Sequence, residues 1–299
     1  MPRAVALLGL IAAFAATAAD AAVVADERAL AAGQVLHLRI EAGDVTVRPG
    51  EAGKAVVQAD LAPSQRLVWR EAVDRQVLVI DDAERLRARP ASVELRVPAD
   101  TSLRLQLGDA ALDLEGVAGG SLVIRGGRGD VRVVSTAALV DIDTMSGRID
   151  AQVDGSRLRA NSVDGAQRLS VAGAGGIAAT SVSGTLDVRL ANGAPIRLAS
   201  VSGAVDLSLD ATQGLDARLE TLNGRVDVKV AAGQPFVARL AQAQGDVTLP
   251  AGLVQRPDGA LAMGEGGGVV RIASFSGAIG IVVRLGTALP AAPADAETP

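Results

Sequence analysis

Four aspartates, Asp150, Asp187, Asp206 and Asp227, each stand three residues after a glycine, and the last three fall on successive repeats of one motif. Carboxylates stacked this way could hold a hard cation such as calcium. They could also form the acidic cluster of a polysaccharide-cleaving β-helix. The plainer reading is a solvated acidic face, neutralised diagonally by Arg189, Arg225 and Lys229. Arg168 stands where another acid would extend the run. The plain reading is adopted and no metal site is assigned; a cation ladder of Asp187, Asp206 and Asp227 is its sharper rival.

Hydroxyls recur beside the same glycines. Thr144/Ser146, Ser181/Ser183, Ser200/Ser202 and Ser274/Ser276 each bracket an apolar residue. A long regular array of this kind could match an ice lattice, but Asp164, Asn223 and Gln244 interrupt it. The hydroxyls are expected to point outward at corners and bond to backbone or to one another. His37 is the only histidine, in VLHLRI, where Leu36 and Leu38 take the inward positions. One isolated histidine builds neither a nucleophile triad nor a zinc site. No Gly-x-Ser-x-Gly elbow occurs. GAGGIA at 173–178 matches a loose dinucleotide fingerprint, but it lies in phase with the repeat and no helical pattern follows. Arg128-Gly129-Asp130 spells an integrin-type tripeptide at the start of a strand, and is read as coincidence. No catalytic residue and no cofactor is assigned.

The elements around these residues are aliphatic. The chain has 299 residues, 49% of them apolar, and its aromatics are Phe14, Trp69, Phe236 and Phe275. The core must therefore be built from Val, Leu, Ile and Ala. A net charge of −5 leaves no basic footprint for nucleic acid or an anionic membrane. The scarcity of aromatics removes stacking platforms for single strands. Without cysteine there are no disulfides, thiolate ligands or cysteine-linked lipid anchor. Residues 1–21 read as a signal peptide: Arg3, an apolar run from Ala4 to Ala16, then small-residue cleavage sites. The run is too short to span a bilayer and no second long one follows. The expectation is export to the periplasm, cell surface or medium, with no membrane span. Residues 288–299, rich in Pro and Ala, predict a disordered tail.

The motif repeats through the chain. Its glycines are Gly129, Gly147, Gly165, Gly184, Gly203, Gly224, Gly245 and Gly277, at intervals of 18, 18, 19, 19, 21, 21 and 32 residues. Apolar residues fill the second, fourth and sixth positions after each: Leu186, Val188 and Leu190, then Val205, Leu207 and Leu209, then Val226, Val228 and Val230. Period-two alternation marks a strand with one buried face. A second alternating run precedes each glycine, and the next apolar residue (Val201, Leu222, Ala243) arrives three positions on, consistent with an inward side chain at a turned corner. Two short strands and two corners per repeat make a β-solenoid coil. The fold class is all-β: a right-handed parallel β-helix or β-solenoid with coils of about 18–21 residues, regular over 116–287. Residues 22–115 are strand-rich but irregular, as expected of an N-terminal cap and first coils. The long interval, 250–268, predicts a protruding loop that could bind something.

VELRVPADTSLRLQLGDAALDLEGVAGGSLVIRGGRGDVRV, the repeated SVSG units and the closing GGGVVRIASFSGAIGIVV resemble the exported bacterial putative-adhesin family, a β-solenoid domain of unknown function. The resemblance spans about residues 33–286. It implies a β-helix or β-roll and transfers no functional residues. The short coils also resemble bactofilin-like polymerising scaffolds. The expected function is a non-enzymatic scaffold or envelope interaction module with a protein or polysaccharide partner. The alternative is a β-helix enzyme acting on an anionic polysaccharide.

Overall fold

The computed structural model describes residues 22–284 apart from 32, 73, 84–88, 156, 174 and 243. The predicted signal peptide, the predicted tail and Ala243 lie outside the described residues. Seven strands open the described chain: β1 (Ala22–Ala29), β2 (Val35–Pro49), β3 (Lys54–Leu61), β4 (Gln65–Ala72), β5 (Arg75–Asp82), β6 (Ala91–Val97) and β7 (Ser102–Val117). Six strand pairs follow: β8 (Ser121–Arg128) and β9 (Val131–Ser135), β10 (Leu139–Thr144) and β11 (Ile149–Val153), β12 (Arg157–Ser162) and β13 (Gln167–Val171), β14 (Ile177–Ser181) and β15 (Leu186–Leu190), β16 (Pro195–Ser200) and β17 (Val205–Leu209), β18 (Asp216–Thr221) and β19 (Val226–Ala231). The last six are β20 (Phe236–Gln242), β21 (Val247–Thr248), β22 (Val254–Gln255), β23 (Leu261–Met263), β24 (Gly268–Ser274) and β25 (Ile279–Arg284). Among the described residues no helix is long and apolar enough to cross a membrane.

The strands form two long faces. The first runs β4-β5-β2-β7-β8-β10-β12-β14-β16-β18-β24-β20-β23-β22. The second runs β1-β3-β6-β2-β7-β9-β11-β13-β15-β17-β19-β25-β21. β2 and β7 are long enough to serve both, their first halves in the first face and their second halves in the second. At about 4.8 Å per strand the first face extends on the order of 60 Å. Partners in register stand one coil apart, as in Val140↔Leu158, Leu158↔Ile177 and Ile196↔Ala217. This is the solenoid that the repeat predicts. Val205, Leu207 and Leu209 are completely buried, as are their equivalents on neighbouring coils. Strands β1 to β7 join the first coil through β7, and β1, β3 and β4 add antiparallel strands at that end.

The corners differ from expectation in two respects. The first hydroxyl of each pair turns inward: Thr144, Ser181, Ser200 and Ser274 are buried, as is Thr221 at the Leu222 corner. All but Thr144, whose Oγ1 finds no partner among the described residues, accept the amide N–H of the anchor glycine, at 2.8 Å for Ser181–Gly184 and 2.9 Å for Ser200–Gly203. Only the second hydroxyl points out, and Ser202 Oγ donates to the Val182 carbonyl one coil below at 3.0 Å. Secondly, the apolar residue between them is expelled. Val201 and Leu222 are 43% and 48% exposed, in line with Val163, Val182 and Phe275. A buried glycine N–H without an acceptor costs more than one exposed aliphatic side chain, so the hydroxyl takes the inward place.

The glycines stack by necessity. A Cβ on Gly184, Gly203, Gly224 or Gly277 would meet the carbonyl oxygen of the anchor on the adjacent coil at under 3.0 Å, closer than real Cβ atoms come. The chain order of the coils breaks at the far end. β24 lies between β18 and β20, and β25 between β19 and β21. The chain passes over one coil position, makes β20 and β21, and returns through the antiparallel pair β22–β23 to fill the gap. The predicted protruding loop is thus this return path, with β23 paired to β20 as a lid on the end of the stack.

Candidate functional site

Asp187, Asp206 and Asp227 do stack in register on the second face. Their column continues back through Arg168, Asp150, Arg132 and Asp113, so charges alternate along most of it. Each acid turns to its own cation: Asp187 to Arg168 at 3.8 Å, Asp206 to Lys229 at 3.2 Å, Asp227 to Arg225 at 2.5 Å. Two of the expected partners are present, and Arg168 replaces Arg189. Asp113 is held below the usual carboxylate range chiefly by its hydrogen bond to Arg48, assisted by Arg132. Among the described residues no three His, Cys, Asp or Glu side chains converge as a metal cage. Asp206→Asn is expected to change stability by at most about 1 kcal/mol, because the pair it loses is solvent-screened and the like charges beside it relax. Thermal melts with and without calcium check this. A calcium-dependent rise in the wild type that the variant loses would establish a cation ladder instead.

His37 is half-buried on the first face, in register with Val77 and Arg104. Partial desolvation, then Arg104 and Arg75, lower its pKa, which favours the neutral imidazole. In the Arg-Gly-Asp tripeptide, Arg128 pairs with Asp109 at 3.0 Å and Asp130 accepts the Arg148 amide at 2.8 Å. Within GAGGIA, Gly175 and Gly176 lead into β14.

A second charged ladder escaped the sequence reading. Arg159, Ala178, Arg197, Arg218, Arg271 and Arg239 are consecutive in register along the exposed side of the first face. Every one stands six residues before an anchor glycine, so the signal was present at a fixed phase. An overall acidic balance concealed it. Arg218 pairs with Glu220 at 2.5 Å, Arg239 with Asp258 at 2.6 Å, and Arg271 with Asp216. Arg157, Arg159 and Arg197 have no carboxylate partner among the described residues. Ala178 interrupts the column between Arg159 and Arg197 and opens a shallow recess of about 650 Å³, bordered also by Leu139, Asp141 and Pro195.

The family model described as Toastrack DUF4097 matches residues 34–235. The chain belongs to the Toastrack family. The match runs from just before β2 to the end of the β19 coil, so it contains Arg157, Arg159, Arg197 and the acidic ladder, and stops before the intercalated coil. Among solved structures, the Toastrack chain aligns with a putative adhesin from Bacteroides fragilis NCTC 9343 at 13% identity, over 87% of this chain and 97% of that one, with a TM-score of 0.41. A second, from Parabacteroides distasonis ATCC 8503, aligns at 11% identity over 88% and 98%, TM-score 0.35. A putative cell adhesion protein from Clostridium sporogenes ATCC 15579 aligns at 9% identity over 88% and 100%, TM-score 0.30. No curated protein matches the chain.

Proposed function

We propose that this Toastrack chain is an exported, non-enzymatic scaffold that presents its ladder faces to a partner in the cell envelope. The supporting observation is the register itself: outward side chains recur at one spacing over many coils, on a stack locked by glycine contacts and corner hydrogen bonds. Such a surface is suited to holding an extended partner at repeated points without moving. A signal-peptide-like N-terminus supports export. Incubation with anionic polysaccharides is expected to release no new reducing ends, and the protein isolated from its native host is expected to begin near Ala19 or Ala22. Sustained release of reducing ends would overturn the scaffold reading, and an intact mass retaining Met1 would overturn export.

A further inference from the structure

The recess over Ala178 collects three groups that lack a partner. Arg159 and Arg197 flank it from the strands on either side, about 10 Å apart as two strand spacings. Arg157 lies two residues before Arg159 on the same edge of β12. All three are exposed, and none meets a carboxylate among the described residues, while neighbouring arginines of the same column are paired. Exposed guanidinium groups not already engaged by a carboxylate are free to take an anion through paired N–H···O bonds.

A fourth group narrows the chemistry. Asp216, whose side chain is 64% exposed at the border of the recess, gives one carboxylate oxygen to Arg271 and leaves acceptor capacity free. A ligand that brings donors as well as negative charge therefore suits this border. Phosphodiester backbones bring charge alone. Nucleic acid bases would also want aromatic stacking, and the recess lining contains no aromatic side chain. Leu139, Ala178 and Pro195 instead provide small apolar surfaces suited to the C–H faces of a sugar ring.

We propose that this recess binds a linear anionic polysaccharide. Uronate or sulfate groups would sit on Arg157, Arg159 and Arg197, ring hydroxyls would donate to Asp216, and the chain would run along the arginine column toward Arg218 and Arg271. This deepens the scaffold reading and rests on it, since it supplies the class of partner held at repeated points.

The test is binding of fluorescent polygalacturonate to the full chain at low ionic strength. Its methyl-esterified form serves as the uncharged control and single-stranded DNA as the competing polyanion. The wild type is expected to bind polygalacturonate, and to bind the ester and the DNA far more weakly. Arg197→Ala and Arg159→Ala should each weaken binding about tenfold or more, the loss of a charge-assisted pair. Arg132→Ala, in the ion-paired column of the opposite face, should leave it unchanged. Equal binding of ester or DNA, an unaffected Arg197→Ala, or an equal loss in Arg132→Ala would overturn the proposal. Binding accompanied by cleavage would sink the scaffold reading and leave the recess standing; neither binding nor cleavage would do the reverse.

Discussion

Gly203→Ala is expected to destabilise the protein by about 3 kcal/mol or more, at or above the top of the usual range for over-packing. The added Cβ would strike the Gly184 carbonyl, which is backbone and cannot rotate away. The neighbouring coils must then separate where their strands lie about 4.8 Å apart. Separation would also strain the Ser200–Gly203 and Ser202–Val182 hydrogen bonds at that corner. Gly233→Ala is the control. Gly233 has φ +79° and nothing within 4 Å of a Cβ, so only the left-handed penalty of about 1–2 kcal/mol applies. Urea titrations of both variants measure the difference. Equal shifts in midpoint would mean that the stacked contact is not what demands glycine.

Removing residues 265–299 is expected to uncouple the last coil from the rod. The deletion takes out β24 and β25, and with them the buried Val270, Ile272, Ile279 and Ile281. Burial of each such side chain contributes about 1.5–3 kcal/mol. β18 and β19 then become open edges, and β20 loses the parallel neighbour that joins it to the stack. Because each coil contacts chiefly its neighbours, the preceding coils should stay folded. Limited proteolysis should therefore cut within 232–264 and leave a resistant fragment ending near Ala231. Full protection of 236–263 in the truncated chain would show that β20 docks without the intercalated coil. Engineered cysteines give a direct check, since the chain has none of its own. A 218/271 pair is adjacent in register and within disulfide reach, whereas a 218/239 pair lies two strands apart.

Much of this molecule follows from local pattern. Period-two alternation decides which residues of LDVRL and VDLSL face inward, because successive Cβ atoms of a strand point to opposite sides. The spacing of the glycines carries the coil length, because equivalent corners must stack. The acidic column follows from the same parity, and the arginine column was equally available six residues before each glycine.

The corners were not legible, because a bend breaks the two-residue period. Ser-Val-Ser-Gly is compatible with either the valine or the first serine inside, and only the glycine N–H within the finished stack needs the hydroxyl. The order of the last coils was not legible either, since β20 carries the same pattern as β24 and would fit against β18 equally well by sequence. Which arginines remain free was decided last of all. Arg271 finds Asp216 only because the intercalated coil lies beside β18, and Arg239 finds Asp258 only through the return path. Arg159 and Arg197 flank Ala178 without an ion pair among the described residues, because the nearby Asp141 and Asp216 are held by Arg125 and Arg271, a property of neighbouring coils that no single repeat contains.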